Sequence, residues 1–161
     1  MNSSGQRFRD LRRALGAFPT GVTVVTARPA AGRPVGVTIN SFSSVSLQPP
    51  LVLWCLSQTA PSRSSFLAAS HFAIHVLAQG QEHVSRRFCA RLEDRFDGLA
   101  VAAGLGGAPL LDGVAARFEC SLRETYAVGD HTVFIGEIER YTYAERPPLV
   151  FCGSGYAELR Q

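Results

Sequence analysis

The amino-acid sequence predicts a mainly β protein with short helices, folded as a closed antiparallel barrel. Short β-branched or alternating segments recur along its 161 residues. Compact reversal signals such as Gly129-Asp130 join neighbouring segments. Only short stretches have helical periodicity, and they do not alternate regularly with strands, so a doubly wound parallel sheet is disfavoured.

Length and composition predict a single domain over residues 1–161, with residues 1–6 as a flexible tail. The chain is long enough for one sizeable core, and 46% hydrophobic with 18% charged residues is typical of a soluble globular protein. The polar N-terminus lacks the apolar stretch of a secretory signal, and no apolar run approaches the ~20 residues of a spanning helix. We therefore expect a cytoplasmic protein.

The charged residues exclude some functions. The net charge of +3 is too small and too dispersed to indicate nucleic-acid binding. All sixteen basic residues are arginine, so neither a Schiff-base lysine nor a phosphate loop of the G-x-x-x-x-G-K-[ST] type is available. Any bound phosphate must be held by arginine, hydroxyl groups or backbone N–H groups.

Hydrophobic periodicity and turn residues place the individual elements. In the first half we predict an amphipathic helix over 7–18, a strand over 22–27, a turn over 29–34, a strand from Val35 and a buried strand over 51–56. In the second half we predict a helix from Pro61 to about Ala69, a strand over 72–78, a helix over 81–90, a charged loop over 91–98, a loop over 104–107, long strands over 115–127 and 132–143, and a last strand over 149–152.

A polar segment between two predicted strands is the first candidate site. Five of the seven residues from Asn40 to Ser46 carry a short hydrogen-bonding side chain, and Pro49-Pro50 ends the segment because proline has no N–H for a strand ladder. Such a segment can offer donors and acceptors to a flat heteroaromatic ligand, but it has no charge for acid–base chemistry. The alternative is an ordinary serine-rich loop.

The segment 57–65 is a second candidate site. Residues with hydroxyl groups and Arg63 lie beside Pro61 and Ser62, which are typical of the start of a helix. The combination suits an anion, because first-turn N–H groups are unpaired. The alternative is a capped helix with no ligand.

Histidine and cysteine spacing does not indicate a metal site. His71 and His75 would share a strand face but lack a third ligand nearby, so a structural role is favoured. The cysteines Cys55, Cys89, Cys120 and Cys152 form no C-x-x-C, so neither a disulfide framework nor zinc is expected. We interpret them as small buried hydrophobic residues.

The segment T-I-N-S-F-S-S-V-S-L-Q-P-P-L-V, from Thr38 to Val52, resembles the flavin-wrapping segment of the short-chain flavin reductase family. The resemblance runs from about Phe8 to Tyr156. These proteins are the NAD(P)H-dependent reductase components of two-component flavin monooxygenases. The resemblance implies a split barrel, usually homodimeric with flavin near the subunit interface. It implies FMN or FAD as the flavin, NADH or NADPH as co-substrate, and a partner monooxygenase that receives the reduced flavin.

The resemblance also implies roles for individual residues. The residues expected to contact the isoalloxazine and ribityl chain are Thr38, Ile39, Asn40, Ser41, Ser43, Ser44, Val45 and Ser46. Those expected near the flavin phosphate are Ser57, Thr59, Ser62, Arg63 and Ser64, while Ser85 and Phe88 fall where the family packs a segment over the flavin.

The nicotinamide is expected at His131, in Gly129-Asp130-His131, which would orient its carboxamide, with Gly155 and Tyr156 bordering the pocket. One departure concerns this pocket: many relatives have His-Arg-Gly where this chain has Cys152-Gly153-Ser154, so a positive charge is missing.

Two other functions remain open at this stage. One is a flavin-binding split-barrel protein that keeps its flavin, as a self-contained oxidoreductase or a non-catalytic partner. The other is the pyridoxamine-phosphate oxidase branch of split barrels, whose binding segments the polar segment does not resemble.

Overall fold

A computed structural model describes residues 3–92 and 94–159. Its helices are α1 (Ser3–Gly16), α2 (Arg63–Ala68) and α3 (Glu82–Cys89). Its strands are β1 (Thr20–Gly21), β2 (Thr23–Ala27), β3 (Val35–Ile39), β4 (Ser43–Leu47), β5 (Pro50–Ser57), β6 (His71–Val76), β7 (Ala102–Ala103), β8 (Pro109–Leu110), β9 (Ala116–Val128), β10 (His131–Tyr143), β11 (Val150–Cys152) and β12 (Gly155–Ala157). None of these helices is both long and apolar enough to cross a membrane.

The main sheet confirms the predicted antiparallel architecture. Its seven strands run in the order β3-β2-β6-β9-β10-β5-β4, while β1, β11 and β12 form a smaller sheet. The end strands β3 and β4 are not hydrogen-bonded to each other, so the barrel is split there rather than closed. Ser41 bridges the split, because its Oγ accepts from the Cys55 N–H at 2.9 Å and donates to the Cys55 carbonyl at 3.2 Å.

An aromatic cluster fills the barrel. Trp54 lies opposite Phe134 in the β5–β10 register, and their rings stack with centroids 4.3 Å apart. Phe66 and Phe72 pack edge-on against the Trp54 ring. Alternate residues of β5 face this core, so only every second residue of the apolar run 51–56 is fully buried, and the rest are half-buried.

Helix α3 packs closely on β3 because Gly36 has no side chain. A Cβ placed on Gly36 would lie 2.5 Å from Cε1 of Phe88. Phe88 is fully buried in a second cluster, where its ring meets Phe96 edge-on. This contact holds the start of β3 against the last turn of α3.

The structure corrects several predicted boundaries. Helix α1 begins at Ser3 rather than at residue 7, so residues 3–6 belong to a helix and not to a tail. The loop 104–107 contains a single 3₁₀ turn. The polar segment is an edge strand, β4, and the two prolines lie at its hairpin with β5, where Pro50 is the first strand residue. A proline is tolerated there because it is the first residue of its strand.

His75 has a structural role. His75 is fully buried, and its Nδ1 donates to the Val24 carbonyl at 3.0 Å while its Nε2 accepts from the Leu111 N–H at 3.1 Å. Both ring nitrogens are therefore used in holding the fold. His71 lies 2.9 Å from the Ser70 hydroxyl and 3.6 Å from Glu139.

The cysteine interpretation is only partly right. All four thiols are free, and burial raises the pKa of Cys120 to about 12. Cys55 and Cys152 are half-buried, however, and Cys89 is exposed. The interpretation is wrong for Cys89 because the last turn of α3 presents this residue to two cavities.

Candidate functional site

An uncharged cleft lies where β3, α3 and the C-terminal hairpin meet. Its volume is about 190 Å³. Its lining residues include no Asp, Glu, Arg or His, and they are Val22, Thr38, Ile39, Asn40, Ser85, Cys89, Phe151 and Tyr156. The cleft therefore suits the neutral, flat part of a ligand better than an anionic part.

Two hydrogen bonds fix the walls of the cleft. Thr38 donates from Oγ1 to the Ser85 carbonyl at 2.7 Å, which ties β3 to α3. Tyr156 donates from its hydroxyl to Ser85 Oγ at 2.9 Å, which ties β12 to α3. The Tyr156 ring also packs edge-on against Phe151. The Asn40 side chain, which also lines the cleft, is exposed.

A larger cavity of about 840 Å³ adjoins the cleft at Cys89, which lines both. Its other lining residues are Val35, Thr59, Pro61, Ser62, Ser65, Arg91, Leu92 and Arg95. Arg95 is committed to the fold, because it donates to the carbonyls of Ala90 at 2.9 Å and Gly36 at 2.8 Å. Arg91 is exposed and makes no hydrogen bond or ion pair with another described residue.

The predicted phosphate residues divide between this cavity and its surroundings. Thr59 and Ser62 line it, and Ser57 Oγ lies 3.0 Å from Thr59 Oγ1. Arg63 turns towards β10, where its Nε donates to Thr132 Oγ1 at 2.8 Å. Ser64 is exposed on α2 and does not line the cavity.

Only part of the polar segment reaches the cleft. Thr38, Ile39 and Asn40 line it. Ser41 and Ser43 line a third cavity of about 660 Å³, which also borders on Asn40. The remaining residues, Ser44, Val45 and Ser46, lie on the edge strand β4 away from the cleft.

Of the two residues predicted on α3, one lines the cleft and the other does not. Ser85 forms part of the cleft wall, and Phe88 lies beneath it in the buried cluster.

The predicted nicotinamide residues lie in two places. Tyr156 lines the cleft, and Gly155 begins the same strand. His131 starts β10 opposite Ser57 and lines neither the cleft nor the adjoining cavity. Its Nδ1 lies 2.7 Å from Asp130 Oδ1, and this hydrogen bond lowers the pKa of the Asp130 carboxyl.

Among the lining residues that sequence reasoning missed are Val22, Cys89, Arg91 and Phe151. The two apolar ones read as ordinary strand residues, and Arg91 is one of several arginines around a charged loop. No local signal separates them from structural or solvent-exposed neighbours.

The fold and the site define a split-barrel protein with a two-part candidate site, an uncharged cleft beside a cavity that hydroxyl groups and the guanidinium of Arg91 line. The chain belongs to the flavin reductase like domain family, whose model matches residues 15–160. This confirms the resemblance found in the sequence.

Similar proteins carry related names. The chain is 45% identical to an FMN reductase (NADH) from Agrobacterium fabrum, over 96% of this chain and 88% of that protein. It is 44% identical to the reductase component of a flavin-dependent trigonelline monooxygenase from Acinetobacter baylyi, over 93% of this chain and 47% of that protein. A solved structure of an NADH:FAD oxidoreductase from Streptomyces globisporus, in complex with NAD and FAD fragments, superposes with a TM-score of 0.90 at 40% identity, covering 98% of this chain and 95% of that one.

The chain is shorter than some of these relatives. It spans 47% of the Acinetobacter protein and 64% of another curated relative, from Rhizobium meliloti.

Proposed function

We propose that the protein is an NAD(P)H-dependent flavin reductase that transfers hydride from nicotinamide to FMN or FAD and supplies reduced flavin to a partner monooxygenase. The observation that carries the proposal is the junction at Cys89 between an uncharged cleft and a cavity with hydroxyl groups and Arg91. Relatives named as FMN reductase, NADH:FAD oxidoreductase and monooxygenase reductase component support it.

The two-part site fits a flavin. A neutral ring system would lie in the cleft against Thr38, Asn40 and Ser85, and an anionic phosphate would lie in the cavity near Thr59, Ser62 and Arg91. The bound flavin would supply the hydride-accepting chemistry, so the chain needs only to bind and orient it. The wall residues can hold a fixed orientation because their hydroxyls are already hydrogen-bonded within the protein.

Turnover with free flavin tests this function. We expect NADH or NADPH oxidation by the protein to depend on added FMN or FAD. Under anaerobic conditions, reduced flavin should cross a dialysis membrane to an unrelated apo-flavoprotein at a rate comparable with turnover. Flavin that stays with the protein through many turnovers would instead support the self-contained oxidoreductase, and no NAD(P)H oxidation with either flavin would refute the reductase function.

Arg91 is the expected anchor of the flavin phosphate. Arg91→Ala should weaken FMN binding by roughly 1.5–3 kcal/mol, the range of a charge-assisted contact, because FMN carries the anion. Riboflavin binding should be nearly unchanged, since riboflavin has no phosphate. Titration of each ligand by quenching of flavin fluorescence measures both affinities.

Arg63→Ala is the matched control for Arg91→Ala. The sequence placed Arg63 at the phosphate, but its Nε is held by Thr132, so we expect a smaller effect on FMN. A larger selective loss of FMN affinity in Arg63→Ala than in Arg91→Ala would show that Arg63, and not Arg91, binds the flavin phosphate.

A homodimer is part of the proposal. The described residues leave uncovered an apolar stripe that consists of three residues of α1 and one residue just after it: Phe8 is 66% exposed, Leu11 53%, Leu15 67% and Phe18 74%. A second copy that covers this stripe would remove a large apolar surface from water. Light scattering at micromolar concentration should give the mass of a dimer, and a monomer would contradict this part of the proposal.

His131 is proposed to orient the nicotinamide, and its position outside the cleft makes that role depend on a second copy. His131→Ala should raise the KM for NAD(P)H or slow flavin reduction, while flavin affinity stays nearly unchanged. Rapid-mixing measurements of flavin reduction test this directly. Wild-type reductive kinetics in the variant would make His131 a turn residue that only pairs with Asp130.

A further inference from the structure

We propose that Arg86, held over the ring of Tyr156, binds the pyrophosphate of the nicotinamide dinucleotide at the mouth of the cleft. The inference rests on the proposed reductase function and assigns a residue to its co-substrate. Arg86 would supply a positive charge that the lining residues of the cleft lack.

Apart from α3, neither the lining residues of the cleft nor the segments that form it supply a cation. The lining residues are all uncharged, and the C-terminal hairpin 150–157 contains no arginine, lysine or histidine. The same holds for β2 and β3. NADH and NADPH both carry a pyrophosphate, so a dinucleotide whose nicotinamide enters this cleft needs a positive group at the rim.

Arg86 meets this requirement by its position. Its guanidinium carbon lies 5.6 Å from the centroid of the Tyr156 ring, and Tyr156 is a lining residue of the cleft. The ring is fixed in turn by the hydrogen bond from its hydroxyl to Ser85. A cation–π contact to a fixed ring restricts the long arginine side chain, which lowers the entropy lost when an anion binds.

The neighbouring arginine on α3 has a different role. Arg87 donates from Nε to the Arg95 carbonyl at 2.6 Å and also hydrogen-bonds to the Asp97 carbonyl, so it ties down the loop after α3. Arg86 is exposed and makes no ion pair or hydrogen bond with another described residue. Its guanidinium donors are therefore available to a ligand.

The flavin phosphate and the dinucleotide pyrophosphate would thus each bind a different arginine. Arg91 lines the large cavity, which the cleft meets at Cys89, whereas Arg86 contacts Tyr156, which lines the cleft and not that cavity. This arrangement predicts that removal of one charge affects one ligand.

The test compares the wild-type protein with Arg86→Gln. ADP-ribose is the binding probe, because it has the pyrophosphate without the reactive ring. We expect the Kd of ADP-ribose by calorimetry, and the KM for NADH, to rise roughly tenfold, as for the loss of one exposed charge-assisted contact. The kcat and the Kd of FMN should stay near wild type, and Arg86→Lys should recover part of the loss.

Arg33→Gln is the matched control, since it also removes one exposed positive charge, from the turn between β2 and β3. Wild-type affinity for ADP-ribose in this control would assign the effect to the position of Arg86 rather than to net charge. The KM for NADPH should rise in Arg86→Gln as much as the KM for NADH, because both dinucleotides contain the pyrophosphate.

Other results would overturn the assignment. A larger loss for NADPH would place Arg86 at the 2′-phosphate, and a rise in the Kd of FMN without a change for ADP-ribose would place it at the flavin. Wild-type KM and Kd values in Arg86→Gln, in a protein that reduces flavin normally, would refute this inference alone. A wild-type protein that oxidises neither NADH nor NADPH would instead refute the proposed function.

Discussion

Gly36→Ala is expected to destabilise the fold and to weaken flavin binding together. The new Cβ would lie 2.5 Å from Cε1 and 2.6 Å from Cδ1 of Phe88, which is fully buried and cannot swing away. Overpacking of this kind costs roughly 1–3 kcal/mol. The strain also pushes α3 from β3, which lengthens the hydrogen bond between Thr38 and the Ser85 carbonyl in the cleft wall.

Chemical denaturation and FMN titration measure the two effects of Gly36→Ala. Gly21→Ala is the matched control, because Gly21 is also a strand glycine and its added Cβ would meet nothing within 4 Å. We expect the control to stay within about 0.5 kcal/mol of wild type. In the variant Gly36→Ala/Phe88→Leu, the smaller side chain should recover part of the stability. Wild-type stability and affinity in Gly36→Ala would show that α3 is not seated through this contact.

The stability of the protein is expected to fall by about 3 kcal/mol between pH 6.5 and pH 4 through His75 alone. Burial lowers the pKa of His75 from its ordinary value of 6.5 to about 4. Over this range the unfolded chain binds a proton that the folded chain excludes, so the free energy of unfolding falls as the pH falls. The contribution is fully present above pH 6.5 and is lost by pH 4.

Urea unfolding at several pH values measures this loss, and NMR titration of the His75 ring checks its origin. His83→Gln is the control, because His83 is exposed near the start of α3. The control should keep the wild-type pH dependence. A His75 ring that becomes protonated near pH 6.5 in the folded protein would contradict the prediction.

Local sequence patterns predicted most of the secondary structure. The β-branched segment 22–27, the apolar run 51–56, the reversal at Gly129-Asp130 and the predicted helix over 81–90 all correspond to observed elements. These features depend on residues close in sequence, so a single sequence contains the information. The family resemblance could be recognised for a similar reason, because the segment that carries it, from Thr38 to Val52, is continuous in the sequence.

The site was less predictable because residues far apart in the chain assemble it. Thr38 and Ser85 are 47 positions apart, and Ser85 and Tyr156 are 71 apart, yet two hydrogen bonds join them. Arg63 was predicted to bind a phosphate because it lies beside a helix start. In the structure its guanidinium donates to Thr132 of β10, which is 69 positions away in the sequence. Which arginine stays free for a ligand depends on such partners.

By itself the sequence determined the kind of fold and the resemblance of the polar segment to the flavin-wrapping segment of the family. It also determined that no lysine is available for covalent or phosphate-loop chemistry. These features depend on residue type and local spacing. Only the tertiary structure decided that the barrel is split between β3 and β4, that α3 seats on Gly36, and that Arg91 and Arg86 lie beside the site. The physical reason is that ligand contacts depend on which side chains are already engaged by distant neighbours, and strand pairing and helix packing set those neighbours only when the whole chain folds.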